Sequence, residues 1–202
     1  SNPADIQVNI ITFYYKEAEA TINYVPVGGG KVDPEKEIVK VVSGNITGSV
    51  ATANDGYEFV GWFDNASCDG TPISTNAYYI PEKQGELWTD ATYYAKFEEI
   101  LVSVYYEAGV GGKVSVTSET VGKATGTFDG SSASAYSGYT FIGWYCDGEI
   151  VSTVANFTPS IADAGKTFVA MFEENTATIN YAVVGPDGTV DYDGKADYGE
   201  IT

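Results

Sequence analysis

Two pairs of adjacent carboxylates, Glu98-Glu99 and Glu173-Glu174, are the groups in this sequence that invite acid–base chemistry. Glycoside hydrolysis needs two carboxyl groups about 5–10 Å apart, one donating a proton and the other acting as base or nucleophile. Adjacent residues on a strand point to opposite faces, so neither pair converges on one bond. Both read as solvated charges at unit junctions, and no catalytic residue is assigned. Histidine is absent from all 202 residues, which removes the usual Ser-His-Asp and Cys-His arrangements. Most transition-metal sites go with it, because two isolated cysteines cannot build a four-cysteine cage. No glycine-rich phosphate loop opens a helix, so no cofactor and no metal are expected. Asp191-Tyr192-Asp193-Gly194, with Asp197, partly resembles a calcium loop but lacks its third acidic residue and its closing glutamate. Weak calcium binding there stays an open reading.

Cys68 and Cys146 occupy the same Cys-Asp-Gly phrase, once in each half of the chain. Corresponding residues of repeated units lie further apart than the roughly 7 Å that a disulfide tolerates between Cα atoms. Two free thiols in turns are expected.

Aromatic side chains carry more promise as binding groups, since Tyr and Trp combine a broad apolar face with a polar tip. The candidates are aromatics that the two halves do not share: Trp88, in a stretch without a counterpart, and Tyr78 nearby. Tyr79 matches Phe157 and is assigned to the core. Charge narrows the partner. Twenty-eight acidic against ten basic residues give a formal charge of −18, the wrong sign for displacing phosphate counterions or approaching an anionic bilayer. Nucleic acid is not expected as a partner. Direct membrane insertion is not expected either, since no apolar run nears the roughly 18 residues of a span. A host or matrix protein, a glycan, or neighbouring repeats of the same chain remain as partners.

The elements that must position these groups recur. Ala20-Thr21-Ile22-Asn23-Tyr24 returns as Ala177-Thr178-Ile179-Asn180-Tyr181, and Tyr106 fills the slot between them. Sliding residues 22–63 onto 104–145 needs no gap and leaves 17 of 42 positions identical. The shared positions include Gly29-Gly30-Lys31-Val32 over Gly111-Gly112-Lys113-Val114, and the phrase Gly-Tyr-x-Phe-x-Gly-Trp at 56–62 and 138–144. Repetition on this scale marks a tandem array. The boundaries follow: 1–19 ends a preceding unit, 20–99 and 100–174 are two units, and 175–202 begins a further one. Whether the strand through Thr21 closes one unit or opens the next stays open.

Sixteen Tyr and 23 Gly favour strands and turns over helices. Strands are expected over 21–27, 37–42, 46–53, 57–63 and 91–97, with one or two short ones over 71–80. Residues 10–15 read as the closing strand of the preceding unit. The glycines at 28–30 supply the positive φ of a hairpin. Residues 159–164 carry a one-turn helix signal ended by Gly165, and 34–40 a weaker one. Alternation places Tyr93, Ala95 and Phe97 on one face, as it does Phe168, Ala170 and Phe172. It likewise groups Tyr57, Phe59 and Phe63, with Val60 and Trp62 opposite, and Gly61 admits a bulky neighbour or a bulge. Apolar residues on both faces make 57–63 a central strand, so Trp62 and Trp144 are core residues.

The Gly-Tyr-x-Phe-x-Gly-Trp-[Phe/Tyr] phrase, a variable turn and the closing Thr92-Tyr93-Tyr94-Ala95-Lys96-Phe97-Glu98-Glu99 together resemble the internalin-type B-repeat, or Listeria–Bacteroides repeat, in its divergent branch. The resemblance covers two complete units and pieces at each end. It implies exported bacterial surface proteins whose tandem units serve as spacers or adhesive segments, with a compact β-grasp-like fold. Two departures are visible. Phe97 and Phe172 stand where the family often has tryptophan, and the helix of a β-grasp is hard to find.

The expected architecture is mainly β: small sheet modules, β-grasp-like as one form, with at most a short helix, in an elongated array. The junctions Glu98-Glu99-Ile100 and Glu173-Glu174-Asn175 contain neither Gly nor Pro, so consecutive units should be semi-rigidly linked. The expected function is a non-catalytic, extracellular spacer or adhesive segment, with carbohydrate or host-protein binding through exposed aromatics as the alternative. An enzyme comes third.

Overall fold

The computed structural model describes residues 11–179, 183–184, 188 and 190–191. The chain divides into two compact units, Ser1–Ser103 with Thr120–Phe128, and Val104–Glu119 with Asp129–Thr202. The architecture is mainly β. Among the described residues there is no α-helix, and one 3-10 turn spans Ile161–Asp163, where the one-turn helix signal lay.

In the first repeat the strands are β1 (Glu19–Val27), β2 (Gly30–Asp33), β3 (Lys36–Lys40), β4 (Ser49–Ala53), β5 (Tyr57–Phe63), β6 (Tyr78–Tyr79) and β7 (Ala91–Glu99). They form a four-stranded sheet, ordered β3-β1-β7-β5, and a small sheet, ordered β2-β4-β6. β1 runs parallel to β7, with Tyr24 beside Tyr93, and antiparallel to β3, with Ile22 beside Glu37. A central parallel pair between two antiparallel neighbours is a β-grasp-like sheet. Since β1 pairs with both β3 and β7, the strand through Thr21 opens its unit. The helix signal over 34–40 is overruled because Val39 and Glu37 alternate with exposed Lys36, Ile38 and Lys40, and Val39 enters the core. Residues 11–18 form no strand, and Ile11, Phe13, Tyr14 and Tyr15 are exposed, so the closing strand expected there is not present.

The second repeat follows the same plan with β8 (Leu101–Ala108), β9 (Gly112–Val114), β10 (Ser118–Gly122), β11 (Ser131–Ala135), β12 (Tyr139–Cys146), β13 (Glu149–Ser152), β14 (Asn156–Phe157) and β15 (Thr167–Glu174). Its sheets are ordered β10-β8-β15-β12-β13 and β14-β11-β9. β8 runs parallel to β15, with Tyr106 beside Phe168. Further along, β16 (Val183–Val184) pairs antiparallel with β17 (Val190–Asp191).

Each core is centred on its tryptophan. Trp62 and Trp144 have no exposed surface, and their indole N–H groups donate to Ala77 and Ala155 carbonyls at 3.1 and 3.0 Å. Trp62 lies edge-on to Tyr24 at 5.8 Å and against Tyr79 at 5.7 Å, while Trp144 repeats this with Tyr106 at 5.9 Å and Phe157 at 5.8 Å. Val32 and Ala51 of the small sheet join Ile22, Ala95 and Phe97 of the large one around Trp62.

Simple alternation misplaced Phe59. A bulge between Phe59 and Gly61 shifts the register against β7, so Phe59 lies opposite Phe97 and Trp62 opposite Ala95. Phe59 therefore packs against both Phe97 and Trp62, at 5.6 and 6.3 Å, on the inner face. The extra residue inverts the face order beyond it. The same bulge recurs between Phe141 and Gly143. A Cβ at Gly61 would meet Pro72 at 2.5 Å, because the chain through Pro72 and Ser74 crosses there. In the hairpin, Gly28 has the expected positive φ of 93°, whereas Gly29 and Gly30 are needed for space: a Cβ on them would enter the Tyr57 and Phe97 rings.

Candidate functional site

The inward position of Glu37 on β3 puts a carboxylate beside the core, and four donors satisfy it. The Tyr24 hydroxyl donates to Oε2 at 2.8 Å, the Thr47 amide and hydroxyl to Oε1 at 2.7 and 2.8 Å, and the Gly48 amide to Oε2 at 3.0 Å. Burial alone would raise the Glu37 pKa, but the Thr47, Tyr24 and Gly48 hydrogen bonds outweigh it and hold the carboxyl below its ordinary value. Burial and the anionic partner push the Tyr24 hydroxyl well up. Glu119 repeats the arrangement, accepting from the Tyr106 hydroxyl and from the Asp129 and Gly130 amides. Both carboxylates secure the loop that enters the small sheet.

A second carboxylate recurs at the turns. Glu17 accepts from the Val42 and Ser43 amides at 2.6 and 2.8 Å and from the Ser43 hydroxyl at 2.8 Å. Eighty-two residues on, Glu99 accepts from the Ala124 and Thr125 amides at 2.7 and 2.6 Å and from the Thr125 hydroxyl at 3.0 Å. Backbone donation from Ser43 and from Thr125, respectively, leads in lowering the pKa of each. The Lys123 amide also donates to Ile100 at 2.8 Å. Residues 120–128 thus belong to the first compact unit although they are part of the second sequence repeat.

These contacts decide the chemistry of the carboxylate pair. Glu98 pairs with Lys96 at 2.7 Å while Glu99 is saturated by the turn, so the two do not converge. Among the described residues no three His, Cys, Asp or Glu side chains gather as metal ligands. Most of the calcium-loop reading, Tyr192 to Asp197, lies outside the described residues. Cys68 and Cys146 are unpaired and buried, and burial raises both thiols. Cys68 lies in a turn, whereas Cys146 ends β12 rather than lying in the turn that follows.

Trp88 does not present an exposed ring. Only 8% of its surface is exposed, and it belongs to the first core cluster. Its amide donates to the Val41 carbonyl and its indole N–H to the Gly44 carbonyl, both at 2.9 Å. Lys83 lies over the ring at 5.8 Å and donates to the Val42 carbonyl at 2.7 Å. Trp88 and Lys83 thus supply donors to the same turn whose amides Glu17 accepts. Tyr78 is 47% exposed, with its hydroxyl on the Thr47 carbonyl at 2.6 Å.

Each repeat carries a groove at the same place, beside the floor tyrosine where the two parallel strands meet the hairpin segment. The first, of about 480 Å³, is lined by residues including Asn23, Tyr24, Glu35 and Lys36. The second, of about 680 Å³, is lined by residues including Tyr105, Tyr106, Glu107, Lys113, Thr117 and Tyr136. Tyr105 and Tyr136 are 47% and 54% exposed. Both replace asparagine, Asn23 and Asn54, at the aligned positions of the first repeat. Like Trp88 and Tyr78, these two are aromatics that the repeats do not share.

No curated protein and no solved structure matches this chain. Residues 20–100 and 102–176 each match the divergent InlB B-repeat domain. With two tandem copies over most of its length, this chain belongs to the divergent InlB B-repeat family.

Proposed function

We propose that this segment is a non-catalytic spacer of a bacterial surface protein, extending the chain in tandem steps outside the cell. Membership of a repeat-domain family found on exported proteins supports the setting. The observation that carries the spacer role is the recurring carboxylate tie. Glu17 and Glu99 each take three hydrogen bonds from the turn some 25 residues ahead. Glu99 ends β7, and the Ala124–Thr125 turn it holds belongs to the second sequence repeat but to the first compact unit, so successive sequence repeats share one folded unit. A flexible linker leaves its backbone to solvent. Repeats that fold part of their successor into their own unit are not joined by such a linker, which suits a spacer.

The test is nitrogen-15 relaxation of the whole chain and of Glu99→Ala. The proposal expects the two repeats to share one correlation time in the parent and to separate in the variant. Two independent correlation times already in the parent would remove the spacer reading. The second reading, a segment that binds a partner itself, is favoured by the tyrosines of the second groove.

A further inference from the structure

We infer that the groove of the second repeat is a binding site for a neutral oligosaccharide, with Tyr105 and Tyr136 as its stacking faces. The inference goes beyond the spacer role and does not depend on it. The two repeats supply their own comparison. Both build the groove on a buried tyrosine, Tyr24 or Tyr106, whose hydroxyl is tied to Glu37 or Glu119. The first folds with Asn23 and Asn54 where the second has Tyr105 and Tyr136. The fold therefore does not require aromatic rings at these positions, and both rings are about half exposed. The first groove is also the smaller, at about 480 Å³ against about 680 Å³.

The chemistry of the lining selects the ligand. Tyrosine rings offer an apolar face to the C–H side of a pyranose and a hydroxyl at the edge for its polar groups. Glu107, Lys113, Thr117 and Thr167 add acceptors and donors around the rings. A volume of about 680 Å³ lies within the range of about 300–1,000 Å³ typical of small-ligand sites. The groove lining holds one cation, Lys113, and one anion, Glu107, while the chain as a whole carries −18. Sulfated or sialylated glycans are repelled at long range, and an uncharged sugar is not. The backbone of both tyrosines is fixed: the Tyr105 amide donates to Lys166 at 3.0 Å and the Tyr136 amide to Gly111 at 2.8 Å. Binding therefore need not order the backbone at either tyrosine.

The experiment screens the full chain on an array of neutral and anionic glycans, then titrates the neutral hits by calorimetry. Tyr105→Asn and Tyr136→Asn install the residues with which the first repeat already folds. Each should weaken binding about tenfold or more, and the double variant should abolish it, while Asn23→Ala leaves it unchanged. Amide shift mapping on the parent chain gives a readout free of any folding defect, with the largest shifts expected at Tyr105, Tyr136 and Lys113. Absence of neutral-glycan binding overturns the inference. So does binding confined to anionic glycans, binding unaffected by the double variant, shifts that map elsewhere, or a peptide ligand at these tyrosines with no sugar bound.

Discussion

The Tyr24 hydroxyl donates to Glu37 Oε2 at 2.8 Å, joining the floor of the first core to the carboxylate that holds the Thr47–Gly48 backbone. Tyr106 and Glu119 repeat the relationship in the second repeat. Glu37→Ala would strip the Tyr24 hydroxyl and two backbone amides of their acceptor at once. Leaving partly buried donors unsatisfied should cost the first repeat about 2 kcal/mol, read from its urea transition. Glu119→Ala should act alike on the second repeat. An unchanged transition in both would show that water replaces the carboxylate at no cost.

The tryptophans should matter more. Trp62→Ala and Trp144→Ala each empty a fully buried site, and the loss of packing and indole hydrogen bond should cost about 3–5 kcal/mol in the affected repeat. Differential scanning calorimetry of the two variants checks this. Little change in melting would contradict the placement of the tryptophans at the core centres.

Stability should form a plateau in pH with a limb at each end. Hydrogen bonds to Glu17, Glu37 and Glu99 hold these carboxyls below the ordinary 4.5, and Lys166 and Ser160 hold Asp163 at about 2. In the unfolded chain the same groups bind protons at higher pH. Their stabilisation is therefore complete above about pH 4.5 and is lost as pH falls through the lowered folded values. The tyrosines act in the opposite sense. Burial raises Tyr79 to about 12 and moves Tyr24 and Tyr106 higher still from the ordinary 10. Their contribution is complete below about pH 10 and is lost as pH rises towards the folded values. Melting temperature measured from pH 2 to 12 should fall at both ends; a rise below pH 4 would contradict the carboxylate assignments.

The two thiols should be inert in the native protein. Cys68 and Cys146 are buried, and burial raises the pKa of both, which keeps the nucleophilic thiolate scarce. Modification by a maleimide reagent should be slow natively and rapid in guanidinium, adding two labels by mass. Fast native labelling of either cysteine would contradict the burial described.

The sequence made the repeat and its core legible because both leave a periodic signal: the identical Gly-Tyr-x-Phe-x-Gly-Trp phrase and the large-small-large closing strand. Phe59 was misplaced because a bulge at Val60 breaks the two-residue period on which face assignment rests. The small sheet was only partly visible, since β6 is just two residues long and draws its support from the core. Trp88 looked free because its partners, Val41 and Gly44, lie more than 40 residues away. Glu99 shows the same limit. Its charge suggested a solvated junction, and only the fold brings the Ala124 and Thr125 amides to it. Glu37 and Tyr24 did carry a usable signal, being identical in both repeats with one a charge on a strand's inner face. Tyr105 and Tyr136 carried the reverse signal, aromatic where the other repeat is amide.

The sharing of a folded unit by successive repeats rests on Glu99, and hydrogen exchange at the Ala124 and Thr125 amides probes it most directly. Both amides should exchange slowly in the parent chain and much faster in Glu99→Ala. Equally fast exchange in the parent and the variant would show that Glu99 does not hold the turn.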